Sequence, residues 1–296
     1  MVLKGIFPAV VTAYDDNGDV STERLEKLYS FLAESSVDGV FIGGSTGEWP
    51  LLTMDERILA AKIAVETLDG RKPVLMHISS LIPDEVIRYG KWAKENGVAA
   101  VSIVMPYYFL YREEGLMDYF SKILPYIELP VYLYNIPGNV RNVLTPSFMC
   151  RLAERFENIA GVKDSSMDFL RLQEFISAPV RRKLNFFTGN DAQIIYAYLA
   201  GANGAISAAA GAFPRFVTGM FRDVLEGRMQ DAVKKQESIQ RYRQFVVSHA
   251  PMSVVKCALE IQGIKVGPPR APLNGLNSRE QNELEMLIEK EGLLNG

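Results

Sequence analysis

The rhythm of this chain restricts its fold more than any single motif does. Eight short, apolar, β-branched runs occupy residues 5–14, 38–46, 73–79, 99–107, 130–136, 159–163, 185–189 and 204–208. Between and after them lie longer amphipathic stretches at 22–35, 54–67, 83–96, 113–126, 146–156, 168–177, 192–200 and 214–226. The short runs are almost continuously hydrophobic, as parallel strands covered on both faces must be. The longer stretches repeat apolar residues at helical spacing, as Leu25, Leu28, Phe31 and Leu32 do in the first. Helix starts are marked at Ser21-Thr22-Glu23, at Thr53 with Glu56 as a capping box, and at Thr145-Pro146, with proline in the first helical position. Gly97, Gly201 and Gly204 fall where helix C-caps belong.

Eight βα units in unbroken succession describe an α/β chain folded as a (β/α)8 TIM barrel. An open, doubly wound sheet is the alternative. That fold usually carries a G-x-G-x-x-G after its first strand, and none stands here. The catalytic barrel is expected over 1–226. Helical patterns at 229–248, 253–262 and 278–293, with the proline-stiffened connector 267–273, predict a C-terminal three-helix extension over 227–296, packed on the barrel.

Composition narrows the partners. The net charge is −3, with no basic stripe, so nucleic acid is not an expected partner. Cys150 and Cys257 are far apart and form no C-x-x-C, which fits a reducing compartment. No apolar stretch reaches the ~20 residues of a membrane span. The N-terminus runs straight into a strand with no signal-peptide pattern, so a cytoplasmic protein is expected. The histidines, His77 and His249, are distant and outside any H-E-x-x-H, so no metal is expected. His77 reads as a core or strand-end histidine, and His249 as a helix-end residue.

Chemistry on a barrel of this kind sits where strands run out into βα loops. The sixth run, Ile159-Ala160-Gly161-Val162-Lys163-Asp164-Ser165, ends on a lysine. A lysine there can snorkel to water. If buried it is costly unless neutral or paired. A free lysine has a pKa near ~10.4, so only about one in a few thousand is neutral at pH 7. Desolvation raises that fraction, and a neutral amine condenses with a carbonyl to a Schiff base. The second run ends in Gly43-Gly44-Ser45-Thr46-Gly47-Glu48, whose glycines and hydroxyls suit a small carboxylate or, equally, a tight turn capping the next helix. The fourth ends in Pro106-Tyr107-Tyr108-Phe109 and the fifth in Tyr134-Asn135-Ile136-Pro137. The seventh supplies Gly189, Asn190 and Asp191, and the eighth Ile206 and Ser207. One amine, phenols able to relay protons, and a Gly/Ser/Thr pocket are equipment for Schiff-base chemistry on a 2-oxo acid.

Three of these motifs, in this order, resemble the dihydrodipicolinate synthase / N-acetylneuraminate lyase family of class I pyruvate-dependent aldolases: Gly44-Ser45-Thr46-Gly47-Glu48, Tyr134-Asn135-Ile136-Pro137 and Gly161-Val162-Lys163-Asp164-Ser165. The likeness runs over essentially the whole chain. It implies catalytic roles for Lys163 (imine with pyruvate), Tyr134 (proton shuttle), Thr46 (tyrosine relay) and Tyr108 (reaching into a neighbouring subunit's site). It implies substrate contacts from Ser45, Thr46, Gly47, Ser165, Gly189, Asp191, Ile206 and Ser207. It also implies a homotetramer built as a dimer of dimers, with no cofactor beyond the covalent lysine imine.

The chain departs from the family pattern in its distal pocket. The synthases carry an arginine two residues after the proline of the tyrosine motif; here that residue is Asn139, with Arg141 displaced. The sialic acid lyases carry an acidic residue after the strand-seven aspartate; here it is Ala192, and Ala208 follows Ser207 where a lyase would offer a hydroxyl. Trp49, Pro50 and Phe109 add apolar bulk. The expected activity is therefore reversible cleavage of a 2-keto-3-deoxy sugar acid to pyruvate and an aldehyde. The alternatives are dihydrodipicolinate synthesis with Arg141 as the carboxylate grip, N-acetylneuraminate cleavage, a dehydratase on the same scaffold, and a non-catalytic 2-oxo-acid-binding homologue.

Overall fold

A computed structural model describes residues 3–295. The strands are β1 Gly5–Pro8, β2 Val40–Ile42, β3 Val74–His77, β4 Ala100–Val104, β5 Val131–Asn135, β6 Ile159–Asp164, β7 Asn185–Thr188 and β8 Gly204–Ser207. The helices that alternate with them are α1 Thr22–Ala33, α2 Met54–Leu68, α3 Pro83–Glu95, α4 Glu113–Ile123, α5 Pro146–Arg155, α6 Phe169–Ile176 and α7 Ile194–Leu199. After β8 come α8 Ala208–Ala212, α9 Pro214–Leu225, α10 Met229–Ser248, α11 Pro251–Ile261 and α12 Ser278–Lys290. The eight strands form one sheet in the order β1-β8-β7-β6-β5-β4-β3-β2. A parallel bridge between Ala9 and Phe41 joins the first and last strands of that order. The fold is a (β/α)8 barrel with further helices at its C-terminal end.

Two compact units divide the chain. One is Leu75–Ile206 with Leu3 and Lys4, and holds β4–β7 with most of β3 and β8. In it the pairs β3–β4, β4–β5, β5–β6, β6–β7 and β7–β8 are parallel and in defined register. Because successive strand residues point to opposite faces, His77, Ser102 and Tyr132 share one face with Tyr134 and Lys163. Asn135, Asp164 and Thr188 share the other. The second unit is Gly5–Val74 with the residues from Ser207 onward, so α10–α12 lie in one unit with β1, α1, β2 and α2.

Local chemistry accounts for the helix ends. Ser21 and Thr145 cap α1 and α5 through their side chains, and Thr53 with Glu56 forms a full capping box on α2. Gly97 and Gly201 follow helix C-caps at φ 77 and 105. Gly204 differs from expectation: it lies inside β8 rather than at a helix end. The eighth run also stops one residue early. Residues 208–212 are alanine-rich, a composition that favours helix, and Ser207 caps them by accepting from the Ala210 amide at 2.9 Å. β2 is likewise only three residues long, which releases residues 43–48 as loop.

Candidate active site

Lys163 stands one residue from the end of β6 and is 4% exposed. Its Nζ lies 4.0 Å from the centroid of the Tyr134 ring, and the phenol is within hydrogen-bonding reach. The two are register partners on β6 and β5, which places them side by side on one face. Burial pushes the Lys163 amine below the usual lysine range, partly offset by Tyr134 and by the charge of Asp191. Desolvation therefore raises the neutral fraction that a nucleophilic lysine needs.

Gly189 follows β7 directly, beside this amine, where a side chain would crowd its neighbours. A Cβ there would sit 1.9 Å from Ser165 Oγ and 3.0 Å from Lys163 Cε. Ser165, Gly189 and Lys163 are thus neighbours, and Asp191 follows on the same loop. The opposite strand faces carry struts that hold these ends in place. Asn135 Nδ2 donates to Asp164 Oδ1 at 2.7 Å, and Ser166 Oγ donates to Asp164 Oδ2 at 2.8 Å. The Leu144 amide donates to Asn135 Oδ1, the Ser165 amide to the Asn135 carbonyl, and the Gly189 amide to the Asp164 carbonyl. Burial pushes the Asp164 carboxyl up, against these hydrogen bonds. Neither Asn135 nor Asp164 is a sequence-predicted site residue, although strand alternation beside Tyr134 and Lys163 was the available signal.

His77 is fully buried, with its ring edge-on to Tyr134 at 6.0 Å between centroids and its Nε2 2.8 Å from Ser79 Oγ. It is a hydrogen-bonded core histidine, one ring away from the lysine. Among the described residues no cluster of three or more His, Cys, Asp or Glu could hold a metal, and no helix is long and apolar enough to cross a membrane.

Tyr108 lies on the loop after β4, in the left-handed region at φ 73, and is 72% exposed. Its loop is clamped by the buried Asn142, which no motif had singled out. The Asn142 amide donates to the carbonyls of Pro106 and Phe109, both at 2.7 Å, and accepts from the Tyr111 amide at 2.9 Å. Arg141, next to it, is exposed, as are Gly138 and Asn139.

The second unit carries Ser45 and Thr46, both half-buried, on the loop after β2. Gly47 is buried there; its carbonyl accepts from Thr12 Oγ1 at 2.6 Å. A Cβ on Gly44 would strike the Phe41 ring, so the turn demands glycine. The Glu48 amide donates to the Ser45 carbonyl, closing the turn. Ser207 is fully buried as the last residue of β8, with its oxygen engaged as the cap of α8; Ile206, the last residue of the first unit, is buried just before it in β8.

The sequence profile of the dihydrodipicolinate synthetase family matches residues 2–291. A 4-hydroxy-tetrahydrodipicolinate synthase of Methanosphaerula palustris is 31% identical over 97% of this chain and 99% of its own. Among solved structures, YagE, a prophage protein of the dihydrodipicolinic acid synthase family from E. coli K12 in complex with pyruvate, superposes with a TM-score of 0.93. It is 28% identical and is covered in full by 99% of this chain. A catalytic lysine mutant of the Ruminococcus gnavus sialic acid aldolase superposes with a TM-score of 0.92 at 25% identity, over 99% of both chains.

Proposed function

The chain belongs to the dihydrodipicolinate synthetase family of pyruvate-dependent carbon–carbon lyases, and from that premise we propose that it is a Schiff-base (class I) aldolase cleaving a 2-keto-3-deoxy sugar acid reversibly to pyruvate and an aldehyde. The observation that carries this reading is Lys163, buried at a strand end with its amine against the Tyr134 side chain.

The neutral Lys163 amine attacks the keto carbon of the 2-oxo acid. The carbinolamine takes a proton from the Tyr134 phenol, loses water, and leaves an iminium on Lys163. The phenolate then accepts the proton of the C4 hydroxyl. The C3–C4 bond breaks, C4 becomes the aldehyde, and the electron pair flows through C3–C2 to the imine nitrogen as an enamine. Protonation at C3 and hydrolysis release pyruvate and restore the amine. Ser45 and Thr46 bind the carboxylate, with Thr46 continuing the tyrosine relay. Gly47, Ser165, Gly189, Asp191, Ile206 and Ser207 line the path of the substrate. Tyr108, exposed on its own chain, serves the site of a neighbouring subunit in a dimer of dimers.

Asn139 and Ala192 stand where a carboxylate-gripping arginine and a sugar-holding acid would be, which supports an aldehyde partner without a second carboxylate or a long polar tail. Relatives named as synthases favour a second reading, condensation of pyruvate with aspartate semialdehyde. The two are separated by offering the pyruvate-loaded protein glyceraldehyde, N-acetylmannosamine and aspartate semialdehyde in turn. Product with glyceraldehyde-like aldehydes alone is expected. Turnover confined to aspartate semialdehyde overturns the lyase reading in favour of the synthase. A protein that binds pyruvate with no reducible imine is a non-catalytic homologue.

A further inference from the structure

The loop bearing Ser45 and Thr46 is held by the far end of the chain. Glu48 closes that loop in the left-handed region, at φ 59, with its side chain fully buried. A residue with a side chain persists there only where its surroundings over-determine it. Those surroundings are supplied by α11 and the connector after it. Lys256 Nζ lies 2.9 Å from Glu48 Oε1, and the Arg270 amide donates to Glu48 Oε2 at 2.8 Å across 222 residues of sequence. Lys256 is itself 2% exposed, donates to the Pro268 carbonyl at 2.9 Å, and stands 4.1 Å from the Tyr14 ring centroid. The Arg270 guanidinium lies over the same ring and donates to Glu56, to the Leu51 carbonyl and to the Gly18 carbonyl. Residues 48–56 are thereby tied to residues 256–270 by the buried Glu48–Lys256 ion pair, where an uncompensated charge is costly, and by charge-assisted hydrogen bonds from the partly exposed Arg270.

We propose that Lys256 and Arg270 are positioning residues for substrate binding: they fix the turn at Glu48 and so set the placement of the Ser45 and Thr46 hydroxyls toward the carboxylate of the 2-oxo acid. The inference rests on the carboxylate-binding role assigned to those hydroxyls above. None of the tied groups takes part in the proton transfers. Their loss therefore weakens capture of the 2-oxo acid and spares the chemistry on Lys163.

Lys256→Met leaves Glu48 buried opposite an alkyl chain. The pyruvate concentration giving half-maximal imine formation, read by borohydride trapping, is expected to rise about tenfold, with the trapping rate at saturating pyruvate held within about twofold. Amide hydrogen exchange without ligand is expected to quicken across residues 44–52 and to stay unchanged across β6. The pair Glu48→Gln/Lys256→Met removes both charges and is expected to recover part of both effects. Unchanged half-saturation in a folded variant overturns the proposal, even if exchange quickens, because the ties are then only structural. A fall in saturated rate at constant half-saturation overturns it equally. Should Lys256→Met fail to fold, Glu48→Gln, which removes the carboxylate end of the same pair, gives the same two readouts with the same decision. A wild-type protein that forms no imine with pyruvate instead overturns the assigned function, and the exchange measurement still decides whether the far end holds the loop.

Discussion

Lys163 and Lys256 are both buried, 4% and 2% exposed, and burial depresses the amine of each. Their surroundings are opposite. Lys256 faces the Glu48 carboxylate at 2.9 Å and a backbone carbonyl, and its pKa is pushed down to about 8. Lys163 faces a phenol and a glycine, with the charge of Asp191 a smaller influence. A carboxylate at hydrogen-bonding distance keeps a lysine charged and immobile. In the proposed mechanism the phenol, which offsets the effect of burial only in part, leaves the Lys163 amine able to give up its proton and act as the nucleophile. Burial alone therefore does not make a lysine reactive. The neighbour decides whether a desolvated amine is a tie or a reagent.

The sharpest way to break this contrast is to exchange the losses. Lys163→Ala is expected to abolish imine trapping and turnover while leaving the fold intact. Residual trapping at the wild-type rate would mean another amine is the nucleophile. Tyr134→Phe keeps the ring against the amine and removes the hydroxyl, so turnover should fall by ~10²–10⁴-fold. A near-normal steady-state rate would take the phenol out of the mechanism. Gly189→Ala puts a methyl into the space shared by Ser165 Oγ and Lys163 Cε, and displacements of about 1 Å near reacting atoms cost on the order of 10²-fold. Trapping kinetics of that variant should slow accordingly; wild-type kinetics would show that the lysine has room to spare. The smallest effect is on pH. Because the Lys163 pKa is depressed, its neutral fraction exceeds that of a free lysine at any pH below the ordinary range near ~10.4. The trapping rate should therefore rise with pH and level off before that range. A rise continuing through it would mean the amine is solvated.

Much of this was legible in advance because it is local. Strand and helix periods placed β5–β7 within a residue of their observed bounds and α10 at its observed residues, while β4 ends three residues before its expected run; Thr53 with Glu56 was readable as a capping box from spacing alone. The eighth strand was misread at its end because residues 208–212 lack any polar break to separate a strand from a short alanine-rich helix. Lys163 stood out as a charge in an apolar run. Lys256 carries the same signal, set among Val254, Val255, Ala258 and Leu259, yet it is invisible as a tie because its carboxylate lies more than two hundred residues away in sequence. Asn142 escaped notice for a similar reason: its partners are backbone groups more than thirty residues away, and no spacing rule points to it.

Peptide mapping by mass spectrometry after borohydride reduction in the presence of pyruvate addresses the contrast between the two buried amines most directly. The account predicts one reduced pyruvate adduct per chain, on the peptide carrying Lys163, with the peptide carrying Lys256 unmodified. An adduct on Lys256, or no adduct on either, would contradict it.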